Sequence, residues 1–267
     1  MSRAQAQKER ANAWLAFLLA WVGGAVDAIG YLTLLHVFTA HMSGNTAALG
    51  AHIGQREWSE AFQRAFPIPV FVLGVALGAA LTEAASRRGV RSPFSLALGL
   101  EAILLFAFLW FGEDALRTRA LRPESPWIFY PLMALPVLAM GLQNATLRKV
   151  GGQIVRTTYI TGMLTMMAEE GVAYLFWLWD RTRGRPWGRL CKALRAAPRH
   201  PAFNQVVLLA GIWIAFAVGA ILGSYAERLW QLQSLALPLA GIVVVLIRDL
   251  LVPIVTPQEQ EARPGDS

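Results

Sequence analysis

One carboxylate lies inside the first long apolar stretch of this sequence. Asp27 follows Gly23 and Gly24 and precedes Ile29 and Tyr31, in a run long enough to cross a membrane. A charged side chain at the centre of a bilayer costs about 3 kcal/mol on insertion scales, so such residues face a cavity or a partner. We therefore predict that Asp27 binds a proton or coordinates a cation. The alternative is a purely structural hydrogen bond between two segments.

Three histidines flank the next polar segment. His36 and His41 precede it and His52 follows it, at spacings that do not fit a metal site. If the loop folds back beside the first helix, His41 could relay protons to Asp27, although packing at the membrane interface is the alternative. The sequence has no nucleotide-binding loop, dinucleotide fingerprint or haem pattern, so no cofactor and no metal is expected.

Two short polar motifs, at residues 43–46 (SGNT) and 161–162 (TG), resemble the starts of half-helices. Glycine permits close backbone approach, Ser or Thr can cap a helix, and the free N–H groups at a helix start favour anions. The alternative is helix packing, for which Gly, Ser and Thr are common in membranes. The predicted solute-binding set is Ser43, Gly44, Asn45, Thr46, Asn144, Thr158, Thr161 and Gly162.

These motifs belong to a unit that occurs twice. Residues 24–28 (GAVDA) lead into residues 39–46, and about 117 residues later residues 141–145 (GLQNA) lead into residues 157–163. Two copies of one apolar unit are typical of transporter or channel folds built from repeats. Asn144 is the counterpart of Asp27 and keeps its shape without its charge.

The composition is that of a polytopic membrane protein. Of 267 residues, 55% are hydrophobic and 15% are charged, and the mean hydropathy is +0.44. A soluble domain carries about 25% charged residues. The net charge of +7 is attributed to basic cytoplasmic loops rather than to nucleic-acid binding. Cys191 is the only cysteine, so no intrachain disulfide can form.

Hydropathy predicts an all-α membrane fold of about six transmembrane helices. Two segments are ambiguous: 39–53 is short and weakly hydrophobic, and 157–179 is longer but interrupted by Glu169 and Glu170. If both are broken or re-entrant, each repeat has three helices and the repeats are inverted; if both span, there are eight helices and the repeats are parallel. The basic cluster at residues 87–91 favours six, because it then faces the cytoplasm. The six apolar segments are Trp14–Leu35, Pro67–Ala85, Phe94–Phe111, Trp127–Leu147, Phe203–Tyr225 and Leu235–Val252.

The chain divides into two membrane repeats with polar ends. We predict a cytoplasmic tail at residues 1–12, a first repeat at 13–126, a second at 127–253 and a disordered tail at 254–267. The second repeat contains a basic insertion at 180–201, whose side chains from Arg181 to Arg199 are expected to contact anionic lipid headgroups. Homo-oligomerisation is left open.

Four motifs together resemble one protein family. They are residues 27–31 (DAIGY), 41–46 (HMSGNT), 141–145 (GLQNA) and 156–162 (RTTYITG). Over most of its length the chain is similar to the YoaK-like family of small bacterial inner-membrane proteins. The resemblance implies six spans, an inner-membrane location and cytoplasmic termini, and it brings no established substrate or reaction.

Three functions are compatible with these patterns. The first is a secondary transporter or permease for a small polar or anionic solute, coupled to protons through Asp27 and His41. The second is a non-catalytic membrane module that binds lipid or a partner through the basic insertion. The third is an intramembrane serine hydrolase with Ser43 as nucleophile, which would need a base within hydrogen-bond reach. The repeat disfavours the third, because Thr161 has no histidine beside it, so the chain is not expected to be an enzyme.

Overall fold

A computed structural model describes residues 3–146, 160–183 and 200–251, with side chains described from residue 13 onward and not at 146. All regular elements in these ranges are helical. They are α1 (Arg3–Thr33), α2 (Met42–Gly54), α3 (Trp58–Ala65), α4 (Pro67–Arg87), α5 (Ser95–Arg117), α6 (Pro126–Thr146), α7 (Ile160–Thr182), α8 (Pro201–Trp230), a 3-10 turn (Gln231–Leu235) and α9 (Ala236–Leu251).

Five apolar helical stretches in the described residues are long enough to cross a membrane, which confirms the predicted all-α membrane class. They are Ala13–Thr33, Trp58–Arg87, Ser95–Arg117, Pro126–Ala145 and Pro201–Leu251. The last stretch has 51 residues and contains both α8 and α9, joined by the 3-10 turn. Helix α2 has 13 residues, so at 1.5 Å per residue it is about 20 Å long, too short for a hydrocarbon core of about 30 Å.

Helices α1 and α8 touch backbone to backbone. A Cβ added at Gly24 would overlap the carbonyl of Phe216, and one added at Gly219 would overlap the carbonyl of Trp21. Further along, Gly223 lies against Ala25 in the same way. The contacts advance together along both helices, so α1 and α8 run parallel. Small residues permit this approach, which gains dispersion contacts where no hydrophobic driving force exists between helices.

Helices α4 and α6 form a second parallel pair of the same kind. A Cβ added at Gly74 would meet the carbonyl oxygen of Leu138, and one added at Gly78 would meet the backbone of Leu142. From the other side, Gly141 lies against the carbonyl oxygen of Phe71. The repeated glycines of the sequence therefore hold two tight helix pairs.

The ends of three helices lie together. The C-terminal ends of α1, α5 and α8 line one cavity of about 290 Å³, through Thr33, Glu113 and Glu227 among others. Helix α9 runs antiparallel to α5, because Gln233 donates to Glu113 at one end (3.3 Å) and Ser92 Oγ donates to the Asp249 carbonyl at the other (2.9 Å). The outward faces of the bundle expose large apolar side chains, such as Trp110, a surface suited to lipid rather than water.

Candidate functional site

The chain reverses direction after α1 and returns to Asp27. Leu35 and His36 adopt left-handed backbone conformations (φ 54° and 63°) at the reversal. The Asp27 side chain is nearly completely buried, and its Oδ1 accepts hydrogen bonds from the Ala40 N–H (2.7 Å) and the Thr39 hydroxyl (3.1 Å). A buried carboxylate is stable only with such partners. Asp27 therefore fixes the returning loop against its own helix.

The second carboxylate oxygen binds the histidine. His41 Nδ1 lies 2.6 Å from Asp27 Oδ2, and the His41 ring packs edge-on to Phe38 and Phe216. The Asp27 side chain is 6% exposed and the His41 side chain 26% exposed. The carboxylate sets the orientation of the ring, as carboxylates do for histidines that exchange protons.

A buried asparagine holds the rest of the loop. The Asn45 side chain donates to the Phe38 carbonyl (2.8 Å) and accepts from the Phe38 N–H (3.1 Å). Gly30 leaves room for the Thr39 methyl group, which lies 2.5 Å from the position that a Cβ would take. These contacts explain why the loop between α1 and α2 has a single path.

Helix α2 begins beside Asp27, at Met42. Its first helical hydrogen bond runs from the Asn45 N–H to the His41 carbonyl (3.2 Å), so the preceding N–H groups have no partner within the helix. The prediction that Ser or Thr caps this helix is wrong: His41 occupies the N-cap without a side-chain cap, and the Thr46 hydroxyl donates back to the Met42 carbonyl (2.8 Å). The cause is that Asp27 and Asn45 already fix where the helix starts.

A cavity of about 510 Å³ adjoins this helix start. Asp27 and Tyr31 of α1, His41 and Ser43 at the start of α2, and Phe216 and Ser224 of α8 contribute to its wall. The wall is mostly apolar, with the Asp27–His41 pair as its charged element. A site of this composition suits a small solute with one polar or charged end.

The pKa of His41 differs from its ordinary value. Burial lowers the pKa of His41, but its hydrogen bond to Asp27 and the negative charge of Asp27 outweigh burial and raise the pKa above its ordinary value of 6.5. The contact with Asp27 therefore favours the imidazolium over the neutral ring. The stability that the pair contributes is fully present below about pH 6.5 and is lost as pH rises through the raised pKa.

Thermal stability in detergent is expected to fall as pH rises above about 6.5, because the imidazolium loses its proton as pH passes through the raised pKa of His41. His41→Gln should remove that part of the pH dependence. The matched control is His52→Gln, since His52 also contacts a carboxylate at 2.6 Å, but that carboxylate, Glu57, is 45% exposed whereas Asp27 is 6% exposed. Identical pH profiles for wild type and His41→Gln would contradict the assignment.

The structure brings together part of the predicted set. Asp27, His41, Ser43 and Gly44 line the same cavity. Asn45 and Thr46 lie just behind them and hold the loop and the first turn of α2. The functional roles of these residues stay predictions.

The other predicted residues lie elsewhere or outside the described ranges. Asn144 donates to the Met140 carbonyl of its own helix (3.0 Å), and Thr161 and Gly162 lie at the start of α7 without lining the cavity. Thr158 lies outside the described residues, as do the C-terminal tail and most of the basic insertion, whereas most of the predicted N-terminal tail belongs to α1, which begins at Arg3.

Sequence reasoning missed the part of the cavity wall that comes from α8. Phe216, Ala220 and Ser224 lie about 190 residues after Asp27 in the chain. No local spacing connects them to α1. The one available signal was the pair Gly219 and Gly223, which marks this face of α8 as a close-packing face.

Within the described residues, the site lacks two kinds of catalytic arrangement. Ser43 forms no hydrogen bond with His41, whose Nδ1 is bound to Asp27. No group of three or more His, Cys, Asp or Glu side chains that could hold a metal ion occurs in the same ranges. The arrangement can bind and release a proton beside a cavity.

Comparisons with known proteins agree with the membrane class. A family described as "Protein of unknown function (DUF1275)" matches residues 15–248. The chain is 33% identical over 213 residues to the UPF0700 transmembrane protein YoaK of Bacillus subtilis (strain 168), covering 80% of this chain and 83% of that protein. It is also 34% identical over 99 residues to a UPF0060 membrane protein of Paracidovorax citrulli (strain AAC00-1), covering 33% of this chain and 88% of that protein. No solved structure gives a significant match.

Proposed function

This chain belongs to the DUF1275 family, and for this membrane protein we propose the function of a secondary transporter or permease that moves a small anion together with a proton. One observation carries the proposal: a buried carboxylate and a histidine, 2.6 Å apart, lie at the start of a short helix and line a cavity of about 510 Å³.

The geometry supports a coupling between proton binding and anion binding. When His41 is protonated, it balances the charge of Asp27, and the free N–H groups at the start of α2 attract an anion. When the proton leaves, the unbalanced carboxylate repels the anion. Each ligand therefore raises the affinity for the other, which is the thermodynamic requirement for coupled movement.

Purified protein in liposomes that contain a pH-sensitive dye tests this function. A panel of formate, lactate, phosphate, sulfate and chloride is applied outside, one anion at a time. Entry of a transported anion is expected to acidify the interior in parallel. Anion entry that depends on the protein without acidification would contradict proton coupling, and no entry of any anion in the panel would contradict the anion class.

We further propose that the bundle consists of two inverted three-helix repeats, α1, α4 and α5 followed by α6, α8 and α9. The contact of Gly24 with Phe216 has its counterpart in the contact of Gly141 with Phe71, at the offsets of the sequence repeat. The C-terminal ends of α1, α5 and α8 lie together, whereas α9 runs opposite to α5. Both observations support inversion, with α2 as a re-entrant half-helix.

Cysteine labelling with an impermeant thiol reagent tests the topology in a Cys191→Ser background. In the six-helix arrangement, cysteines at Ser2 and Arg88 are expected to label from the cytoplasmic side and one at Thr118 from the outside. Arg88 directly follows α4, in the loop before α5, and Thr118 directly follows α5; both are exposed. Labelling of Ser2→Cys and Arg88→Cys from opposite sides would establish eight spans and contradict the inversion. A permeant reagent, which should label all three, serves as the control.

Two further roles are part of the proposal. The basic insertion is proposed to bind anionic lipid headgroups; in the described part, Arg181 lies over the Trp177 ring (4.8 Å), a position typical of a membrane interface. The chain is proposed not to be an enzyme, because Ser43 lacks a hydrogen-bonded base.

A further inference from the structure

A second carboxyl group lies inside the bundle, on the buried face of α5. Glu101 is fully buried (0% exposed), between Leu98 and Leu105 on the same face. Neither of its carboxyl oxygens has a hydrogen-bond partner. The Asp27–His41 site does not use this residue.

Within the described residues, the elements packed against α5 carry few titratable groups. These elements are α4, α6, the 3-10 turn and α9. Their titratable groups are Glu83 and Arg87, which pair with each other on the exposed side of α4, Tyr130 on α6, and Arg248 and Asp249 in the last turn of α9.

The charges of α9 lie far along the bundle from Glu101. The Asp249 carbonyl is bound to Ser92, which is nine residues, or about 13 Å of helix, before Glu101. Tyr130 packs with Phe62 and Phe66, and the titratable groups in the span Ala13–Thr33 of α1 are Asp27 and Tyr31, which both line the first cavity. An ionised Glu101 would thus have no compensating charge beside it.

We propose that Glu101 is a second proton-binding site of this protein, occupied at neutral pH. An ionised, unpaired carboxylate is strongly disfavoured in a low-dielectric interior, and such a group takes up a proton instead. The proton adds to one carboxylate oxygen and gives a neutral acid, which the apolar site holds at far lower cost.

Measured from the end of the bundle where α1 and α5 end together, a proton on Glu101 lies deeper than a proton on Asp27. Glu113 and Thr33 line one cavity at the ends of α5 and α1. Glu101 lies twelve residues before Glu113, about 18 Å along α5, whereas Asp27 lies six residues before Thr33, about 9 Å along α1. A proton on Glu101 therefore lies about 9 Å further from that end of the bundle than one on Asp27.

Infrared spectroscopy of the full chain in lipid films tests the proposal without any solute. At neutral pH the wild type is expected to show the C=O stretching band of an un-ionised carboxylic acid free of hydrogen bonds, which disappears in alkali. Glu101→Gln should lose this band. Glu83→Gln should keep it, since the Glu83 side chain is 61% exposed and paired with Arg87. Protein labelled with [13C]glutamate should show the band shifted, which identifies a glutamate without any substitution.

Two results would overturn the proposal. If the band is absent, or is unchanged in Glu101→Gln and in the labelled protein, then Glu101 is not protonated. If the band is present but neither exchanges in D2O nor disappears in alkali, then Glu101 is an inert neutral group and not a proton-binding site. Because the measurement needs no transport, its failure leaves the transport proposal standing, and the reverse also holds.

Discussion

Asp27→Asn is expected to reduce anion-dependent acidification to the rate of protein-free liposomes while the protein still folds. The asparagine oxygen can still accept from the Thr39 hydroxyl and the Ala40 N–H, the two bonds that Asp27 Oδ1 makes. The negative charge that holds the proton on His41 is lost. The measurement is the initial rate of dye acidification after addition of the anion.

Two variants separate loss of coupling from loss of structure. Asp114→Asn removes a carboxylate at the exposed end of α5 and should leave the acidification rate unchanged. Asp27→Ala removes both acceptor bonds as well, so it should lower the free energy of unfolding by about 1–3 kcal/mol for each donor left unpaired. If Asp27→Asn acidifies the liposomes at the wild-type rate, Asp27 does not couple protons to the anion.

Hydropathy was sufficient to predict the helices of the bundle, because lipid requires each backbone polar group to bond within its own helix. It was also sufficient to predict that segment 39–53 is too short to span. The single charge in the apolar first helix was sufficient to predict that Asp27 has a partner or faces a cavity, but contact with His41 was left conditional on the loop folding back. These features are determined by the requirements of the bilayer rather than by long-range packing.

What the sequence could not show depends on which face of a helix meets another. Glu83 and Glu101 each lie within a predicted apolar segment. In the structure, however, Glu83 is exposed and paired, whereas Glu101 is fully buried. The difference arises because Glu101 lies on the face of α5 that packs into the bundle. Likewise, Phe216 joins the cavity wall only because the glycines of α8 bring that helix against α1. Such contacts follow from the whole bundle and not from local spacing.

Gly24→Val is expected to lower the free energy of unfolding by about 3 kcal/mol or more. A Cβ at this position would overlap the Phe216 carbonyl, which belongs to the backbone of α8 and cannot rotate away. The helices must separate, and the reciprocal contact of Gly219 with the Trp21 carbonyl is lost with them. Thermal unfolding in detergent, followed by size-exclusion chromatography, measures the effect.

Gly99→Val tests whether the overlap with a neighbouring helix, and not valine itself, causes the loss of stability at Gly24. Gly99 lies inside α5, and a Cβ there would meet no atom within 4 Å. Valine is a better helix former than glycine by a few tenths of a kcal/mol, so Gly99→Val should be neutral or slightly stabilising. Equal melting temperatures for the two variants would mean that α1 and α8 are not in backbone contact. The cavity beside the Asp27–His41 pair would then lose the part of its wall that α8 supplies.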